Sequence, residues 1–145
     1  MDLRPLALAL VVSAACRGHE AATAVRHEAR VYAGGVTPAA GAPLASENPF
    51  RGDRQSAAEG ERTFGVMNCD GCHGGGAVGW VGPSLRDGRW RYGGADGDIF
   101  QSIYYGQPHG MPAYGGLLPT AAIWKLVTYL QSLEPPANVP TESWR

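Results

Sequence analysis

Apolar residues return at steps of three and four in three separate stretches between residues 57 and 133, and no stretch alternates convincingly between apolar and polar residues. Spacing near 3.6 marks helices with one buried face, whereas a half-buried strand needs a period of two. In the first stretch Ala57, Gly60, Phe64 and Met67 share a face, and Ser56 followed three residues later by Glu59 supplies a capping box to start it. The second has Asp98 as N-cap, Ile99 and Ile103 one turn apart, and Gly106 as a stop. The third is the clearest: Ile123, Leu126, Val127, Leu130 and Leu133 form one stripe, with Thr120 as its cap. The Pro135-Pro136 pair forbids its continuation. The expected fold class is all-α, three main helices joined by long glycine-rich loops.

Upstream of these helices the pattern changes twice. "MDLRPLALALVVSAAC" places Arg4 before an apolar run at 6–12, far short of the roughly 20 residues needed to span a bilayer. Residues 1–15 are expected to be a secretory signal peptide ending in the small residues Ser13, Ala14 and Ala15. Cys16 follows directly and resembles the lipobox cysteine of bacterial lipoproteins, with Ser13 where that pattern has a large aliphatic residue. The expectation is an exported chain, periplasmic or cell-envelope, anchored through lipidated Cys16 or released by ordinary cleavage. Residues 16–48 are rich in Ala, Gly, Pro and Thr with no sustained apolar period, and read as a flexible tether. His19 and His27 fall in it as solvated linker residues. The folded domain is expected over 49–135, with a C-terminal tail at 136–145.

Composition narrows the function classes. The formal net charge of -1 gives no overall field toward nucleic acid or an acidic membrane surface. With 21 glycines and 11 prolines in 145 residues, the core is modest, and a buried prosthetic group would help the domain fold. The loop "GGGAVGWVGPSLRDGRWRYGGADG" at 74–97 lacks a Gly-Lys-Ser/Thr sequence and a preceding strand, so it is not a phosphate loop. Its glycines suit a chain that wraps closely around a large rigid object.

The chemistry sits just before that loop. "MNCDGCHGGG" brings Cys69, Cys72 and His73 within five residues. A structural zinc site would need a second ligand pair, and only three cysteines exist in the chain. A thioredoxin-type redox pair would need an α/β context, which the periodicity denies. A plain disulfide would not require His73. Cys-x-x-Cys-His is the attachment pattern of c-type haem: two thioethers to the vinyl groups, with the adjacent imidazole under the iron. The expected cofactor is therefore one covalently bound haem c. Met111, in the loop "QPHGMPAYGG", is the candidate for the other axial position, since flanking helix breakers make it a poor core filler. His109 is its competitor.

With these residues in view, the stretch from about 58 to 133 resembles a class I, mono-haem cytochrome c of bacterial type. The resemblance implies that Gly60 and Phe64 on the first helix pack against Leu126 and Tyr129 on the last. It implies that Pro83, in the Gly-Pro-x-Leu stretch at 82–85, offers its carbonyl to the His73 imidazole. It also implies that Trp90 and Tyr92 approach a haem propionate, with Arg89 or Arg91 neutralising it. His73 and Met111 are then the two metal ligands.

A site closed on both faces leaves no position for substrate. The expected function is electron transfer, one-electron Fe(III)/Fe(II) exchange in a bacterial respiratory or dehydrogenase chain, with no catalysis of its own. The expected partners are redox proteins: an oxidase, a dehydrogenase or a quinol-oxidising complex. Two alternatives stand beside it: a haem-binding subunit of a larger oxidoreductase complex, and a haem sensor or peroxidase in which Met111 is labile.

Overall fold

Asp53 starts the first helix. Its carboxylate accepts from the backbone N–H groups of Gln55 at 3.3 Å and Ser56 at 3.0 Å, two of the donors that a helix start leaves unpaired. Helix α1 then spans Arg54–Val66. Ser56, expected as the cap, instead lies inside the first turn and is buried. The reason is backbone conformation: a cap needs an extended residue, and Asp53 has it at φ -80 and ψ 112. Glu59 is thereby released from capping and pairs with Lys125 on the last helix. The computed structural model describes residues 31–36, 47–135 and 137. The expected signal peptide, Cys16, His19 and His27 lie outside them, as does nearly all of the tail.

Asn68 closes α1. It sits in the left-handed region at φ 57, its N–H donates to the Gly65 carbonyl at 3.0 Å, and the Cys69 N–H donates to the Phe64 carbonyl at 3.0 Å. Those paired bonds are a Schellman closure, which Asn accommodates nearly as well as glycine. The chain passes straight into the short α2, Asp70–His73, a 3₁₀ turn at Gly75–Ala77, and the long loop. Helix α3 spans Asp96–Tyr105. Asp98 is not its N-cap: it lies in the first turn, where its carboxylate accepts the Ala95 N–H at 3.2 Å. Gly106, at φ 67, ends the helix as expected. Helix α4 spans Thr120–Ser132, and Thr120 is its first helical residue, preceded by Pro119.

The helices meet around one core. Phe64, Ile99, Phe100, Ile103, Ile123, Leu126, Val127 and Leu130 are all buried. At the α1–α4 crossing Gly60 is pressed against α4 so closely that a β-carbon would collide with the Lys125 carbonyl and lie 2.9 Å from the Tyr129 β-carbon. One turn on, the Phe64 and Tyr129 rings tilt together with centroids 5.6 Å apart. Helix α3 packs on α4 through Phe100 and Trp124, centroids 4.2 Å apart. No strand is present among the described residues; there are two isolated bridges, Tyr32 with Ala113 and Gln107 with Met111.

Polar ties fix the loops to this core. Asp96, only 2% exposed, holds Arg51 at 2.8 Å and accepts from Gln131 at 3.0 Å. Asn48 donates to Thr128 at 2.9 Å, pinning the lead-in to α1 against α4. The Arg86 guanidinium reaches the Glu134 carbonyl at 2.7 and 3.0 Å, clasping the long loop to the end of α4. One finding departs from the expected tether at 16–48: residues 31–36 do not trail away but lie along the loop that carries Met111. Backbone hydrogen bonds hold them there, and these depend little on side-chain type.

Candidate functional site

Helix α2 is only four residues long, and its purpose is local: it turns Cys69, Cys72 and His73 onto one short coil. Cys72 is exposed and Cys69 is partly buried, and the two are not bridged. His73 is 8% exposed, which is low for an imidazole beside a glycine loop. Its Nδ1 lies 2.8 Å from the Pro83 carbonyl oxygen. A carbonyl only accepts, so Nδ1 carries the proton and Nε2 keeps its lone pair for a ligand role.

The glycine loop makes that contact possible. Gly82 lies against the imidazole, and a β-carbon there would come within 3.0 Å of both Nδ1 and Cε1. Its N–H donates to the Cys72 carbonyl at 2.8 Å, and the Gly79 N–H donates to the His73 carbonyl at 2.6 Å. The loop is thus stitched to the back of α2, which brings Pro83 into register. Ala77, fully buried and at φ 61, accepts the Leu85 N–H at 2.9 Å and seats the loop's next turn.

Met111 and His109 part company in this structure. Met111 is partly buried and packs against the core, whereas His109 is exposed. Gln107 donates its N–H to the Met111 carbonyl at 3.0 Å, closing the loop around Gly110. Tyr114, three residues on, was quoted in the sequence motif but given no role there. Its hydroxyl donates to the Met67 carbonyl at 3.5 Å, tying the methionine loop to the end of α1 just ahead of the cysteine coil. Burial pushes the Tyr114 phenol up to about 12 and the Cys69 thiol up to about 11, with the Asp70 charge adding to the latter.

Cys69, Leu85, Trp90, Met111 and Tyr114 are partly buried against the core and give the site an apolar surround. Trp90 is close under Gly94, where a β-carbon would lie 3.0 Å from the indole Nε1. Tyr92 is not gathered in: it is 44% exposed, with the Arg91 guanidinium 5.7 Å from its ring centre. Arg89 is exposed as well. In the loop that follows His73, Val78, Trp80 and Val81 stand out in solvent, Trp80 at 74%. Residue pattern does not signal this, because a tryptophan in a glycine loop is ordinarily expected to pack.

The residues fit a haem of the c type. Two unbridged thiols, a buried imidazole with Nε2 available, and a thioether in an apolar surround are the donor set it requires. Among the described residues no three His, Cys, Asp or Glu side chains converge as a metal cage.

Residues 55–130 match the family model described as cytochrome c oxidase, cbb3-type, subunit III. Over 80 residues the chain is 38% identical to the cbb3-type cytochrome c oxidase subunit FixP of Bradyrhizobium diazoefficiens, covering 53% of this chain and 27% of that one. It is 34% identical over 88 residues to the subunit CcoP of an Azospirillum species, covering 51% and 30%. The chain thus spans less than a third of the length of these curated relatives. Among solved structures, cytochrome cL from Hyphomicrobium denitrificans superposes with a TM-score of 0.59 at 26% identity, covering 70% of this chain and 66% of that one. Cytochrome cL from Methylophaga aminisulfidivorans gives 0.57 at 30% identity, covering 61% and 59%. Both likenesses agree with the all-α architecture described above.

Proposed function

Because this chain belongs to the cytochrome c oxidase, cbb3-type, subunit III family, we propose that it carries one haem c and acts as an electron-transfer protein, free or as a subunit of an oxidoreductase complex. The observation that carries this reading is the hydrogen bond from His73 to Pro83, which sets the imidazole in the tautomer a proximal ligand needs. Haem c, when bound, would supply a reversible one-electron Fe(III)/Fe(II) couple.

Each residue then has a defined task. Cys69 and Cys72 would hold the group through thioethers, which would make it permanent. His73 is the proximal ligand through Nε2, and the Pro83 carbonyl fixes the ring and increases its basicity. Met111 is the second ligand, and a thioether sulfur there favours the reduced state. Trp90 would offer an indole N–H to a propionate, while Tyr92 is exposed to solvent.

The docking face follows from exposure and charge. Val78, Trp80 and Val81, in the loop that follows His73, are exposed apolar side chains that a partner would cover. The single lysine of the chain, Lys125, is paired with Glu59 on α1. The exposed cations are instead arginines, Arg89 and Arg91 among them, so a partner would meet exposed apolar side chains together with guanidinium groups. They are redox proteins, an oxidase, a dehydrogenase or a quinol-oxidising complex. The reading includes export to the periplasm or cell envelope with a signal peptide at 1–15, and an anchor through lipidated Cys16. No helix among the described residues is long and apolar enough to cross a membrane.

Spectra and attachment test the proposal. Replacing Cys69 and Cys72 with alanine should yield a protein whose haem is removed by acidified organic solvent; retention through denaturing electrophoresis would refute covalent attachment. Met111→Ala should abolish the weak long-wavelength sulfur-to-iron band of the ferric protein, lower the reduction potential and let the ferrous protein bind CO. Prompt CO binding by the ferrous wild type, with no sulfur band in the ferric form, would instead establish the sensor or peroxidase alternative.

A further inference from the structure

The loop that carries Met111 is held from two sides. On the helix side, the Tyr114 N–H donates to the Ile103 carbonyl at 3.0 Å and the Gly115 N–H to the Tyr104 carbonyl at 2.9 Å, so the loop is fastened to the end of α3 from residue 114 onward. Between there and Gln107 the chain has few ties of its own. Pro108 and Pro112 have no N–H to give, and the Gln107–Met111 bond merely closes the loop on itself.

The other side is residues 31–36. Ala113, wholly buried, donates its N–H to the Val31 carbonyl at 2.8 Å and accepts the Ala33 N–H at 2.9 Å, forming a parallel bridge centred on Tyr32. Both backbone groups of Ala113 are thus satisfied by this one segment. Gly34 and Gly35, at φ 63 and 73, then turn the chain across the loop. A β-carbon on Gly34 would lie 3.5 Å from Leu117, and one on Gly116 would lie 2.6 Å from the Val36 carbonyl. The contact is therefore a fitted one at both of its ends.

From this geometry we propose that residues 31–36 are a strap that positions the axial methionine, holding Met111 in place through Ala113 two residues away. The proposal rests on the reading of Met111 as the second ligand. A buried peptide group with neither partner is unfavourable, so a loop deprived of the strap must open Ala113 to water. Opening at Ala113 moves Pro112 and Met111 with it. The strap is thus a positioning element, acting on the ligand through the backbone of the loop.

Ala33→Pro tests it in the haem-loaded protein. Tyr32 is extended, at φ -105 and ψ 125, which suits a residue before proline, and Ala33 is the first residue of the 3₁₀ turn, where proline is welcome. The substitution therefore removes one donor to the loop and little else. Amide hydrogen exchange at Ala113 should quicken, and CO binding to the ferrous protein should accelerate by roughly fivefold, what one ordinary intramolecular hydrogen bond is worth. The ferric sulfur-to-iron band should also be lost at a lower temperature. Gly34→Val, which forces a β-branched residue into the left-handed region, should act in the same direction without removing any donor to the loop. Ala33→Gly keeps the donor and should stay close to wild type.

The outcomes separate. Unchanged exchange at Ala113 in both variants would show that the strap does not hold the loop. Faster exchange with wild-type CO binding and an unmoved sulfur band would show that it holds the loop without positioning the ligand. Either result overturns the proposal. A wild-type protein with no sulfur band would overturn it through its premise, because Met111 would then not be the ligand, whatever the exchange at Ala113.

Discussion

A single glycine decides whether the imidazole can be set. Gly82 leaves the space through which the Pro83 carbonyl reaches His73 Nδ1, and any side chain there would press on the ring. Cys69, Cys72, His73 and Met111 are legible in the sequence by residue type, spacing and flanking helix breakers, whereas Pro83 comes only from the family resemblance; its carbonyl lies 2.8 Å from His73 Nδ1. The role of Tyr114 is not legible, since a tyrosine beside a methionine loop has many uses and its partner, the Met67 carbonyl, is 47 residues away in the chain. Its effect is measurable through pH. Burial raises the phenol from 10.0 to about 12, so the folded chain keeps the proton after the unfolded chain has lost it. Stability contributed by Tyr114 is therefore complete below pH 10 and falls as pH rises through this window. The whole displacement corresponds to about 2.7 kcal/mol. Because Tyr114 is only partly buried, solvent screening cuts this to about 1 kcal/mol. Chemical denaturation of the haem-loaded protein at pH 9 and pH 11 should show that loss in the wild type and a smaller one in Tyr114→Phe. Equal losses would mean that the phenol titrates normally.

At the scale of elements, periodicity placed three helices and the caps betrayed their starts imperfectly. Ser56 and Asp98 had the right chemistry for caps, yet each lies one turn or less inside its helix, because Asp53 and Ala95 hold the extended backbone that a cap requires. Hydrophobic spacing is set by the whole helix and survives such shifts; a boundary turns on one residue's dihedral angles. At the crossing of α1 and α4 the resemblance implies Gly60 and Phe64 against Leu126 and Tyr129; the structure sets Gly60 against the Lys125 carbonyl and Tyr129 and sets Phe64 against Tyr129, with Leu126 buried in the core. Two glycines of α1 make a matched test of it. Gly60→Ala drives a methyl group into the Lys125 carbonyl, which is backbone and cannot step aside, and should cost about 3 kcal/mol or more. Gly65→Ala adds the same methyl group where nothing lies within 4 Å, and should instead stabilise by about 0.5–1 kcal/mol through helix propensity. Thermal unfolding of the two variants should move in opposite directions. A mild effect of Gly60→Ala would mean that the helices do not approach this closely.

For the molecule as a whole, the expected boundary at residue 49 was drawn where apolar side chains begin, and that criterion misses a segment attached by its backbone. Residues 31–36 bury little side chain of their own, but their carbonyl and amide groups complete the methionine loop. This changes how far the domain can stand from an anchor. From Cys16 to residue 49 there are 33 residues, enough to reach about 110 Å when extended, whereas the 15 residues from Cys16 to Val31 reach at most about 50 Å. With the strap seated, a lipid on Cys16 confines the methionine loop to that shorter distance above the bilayer. The lipid-anchored, haem-loaded protein in vesicles should therefore quench a fluorophore on the outer headgroups by energy transfer to haem. Gly34→Val, which unseats the strap, should quench it less, because the longer leash lets the haem spend its time farther out. Equal quenching by the two would show that the strap does not set the height. Cys16→Ser should abolish quenching altogether, and a wild type found wholly in the soluble fraction would remove the lipid anchor while leaving the haem site as described.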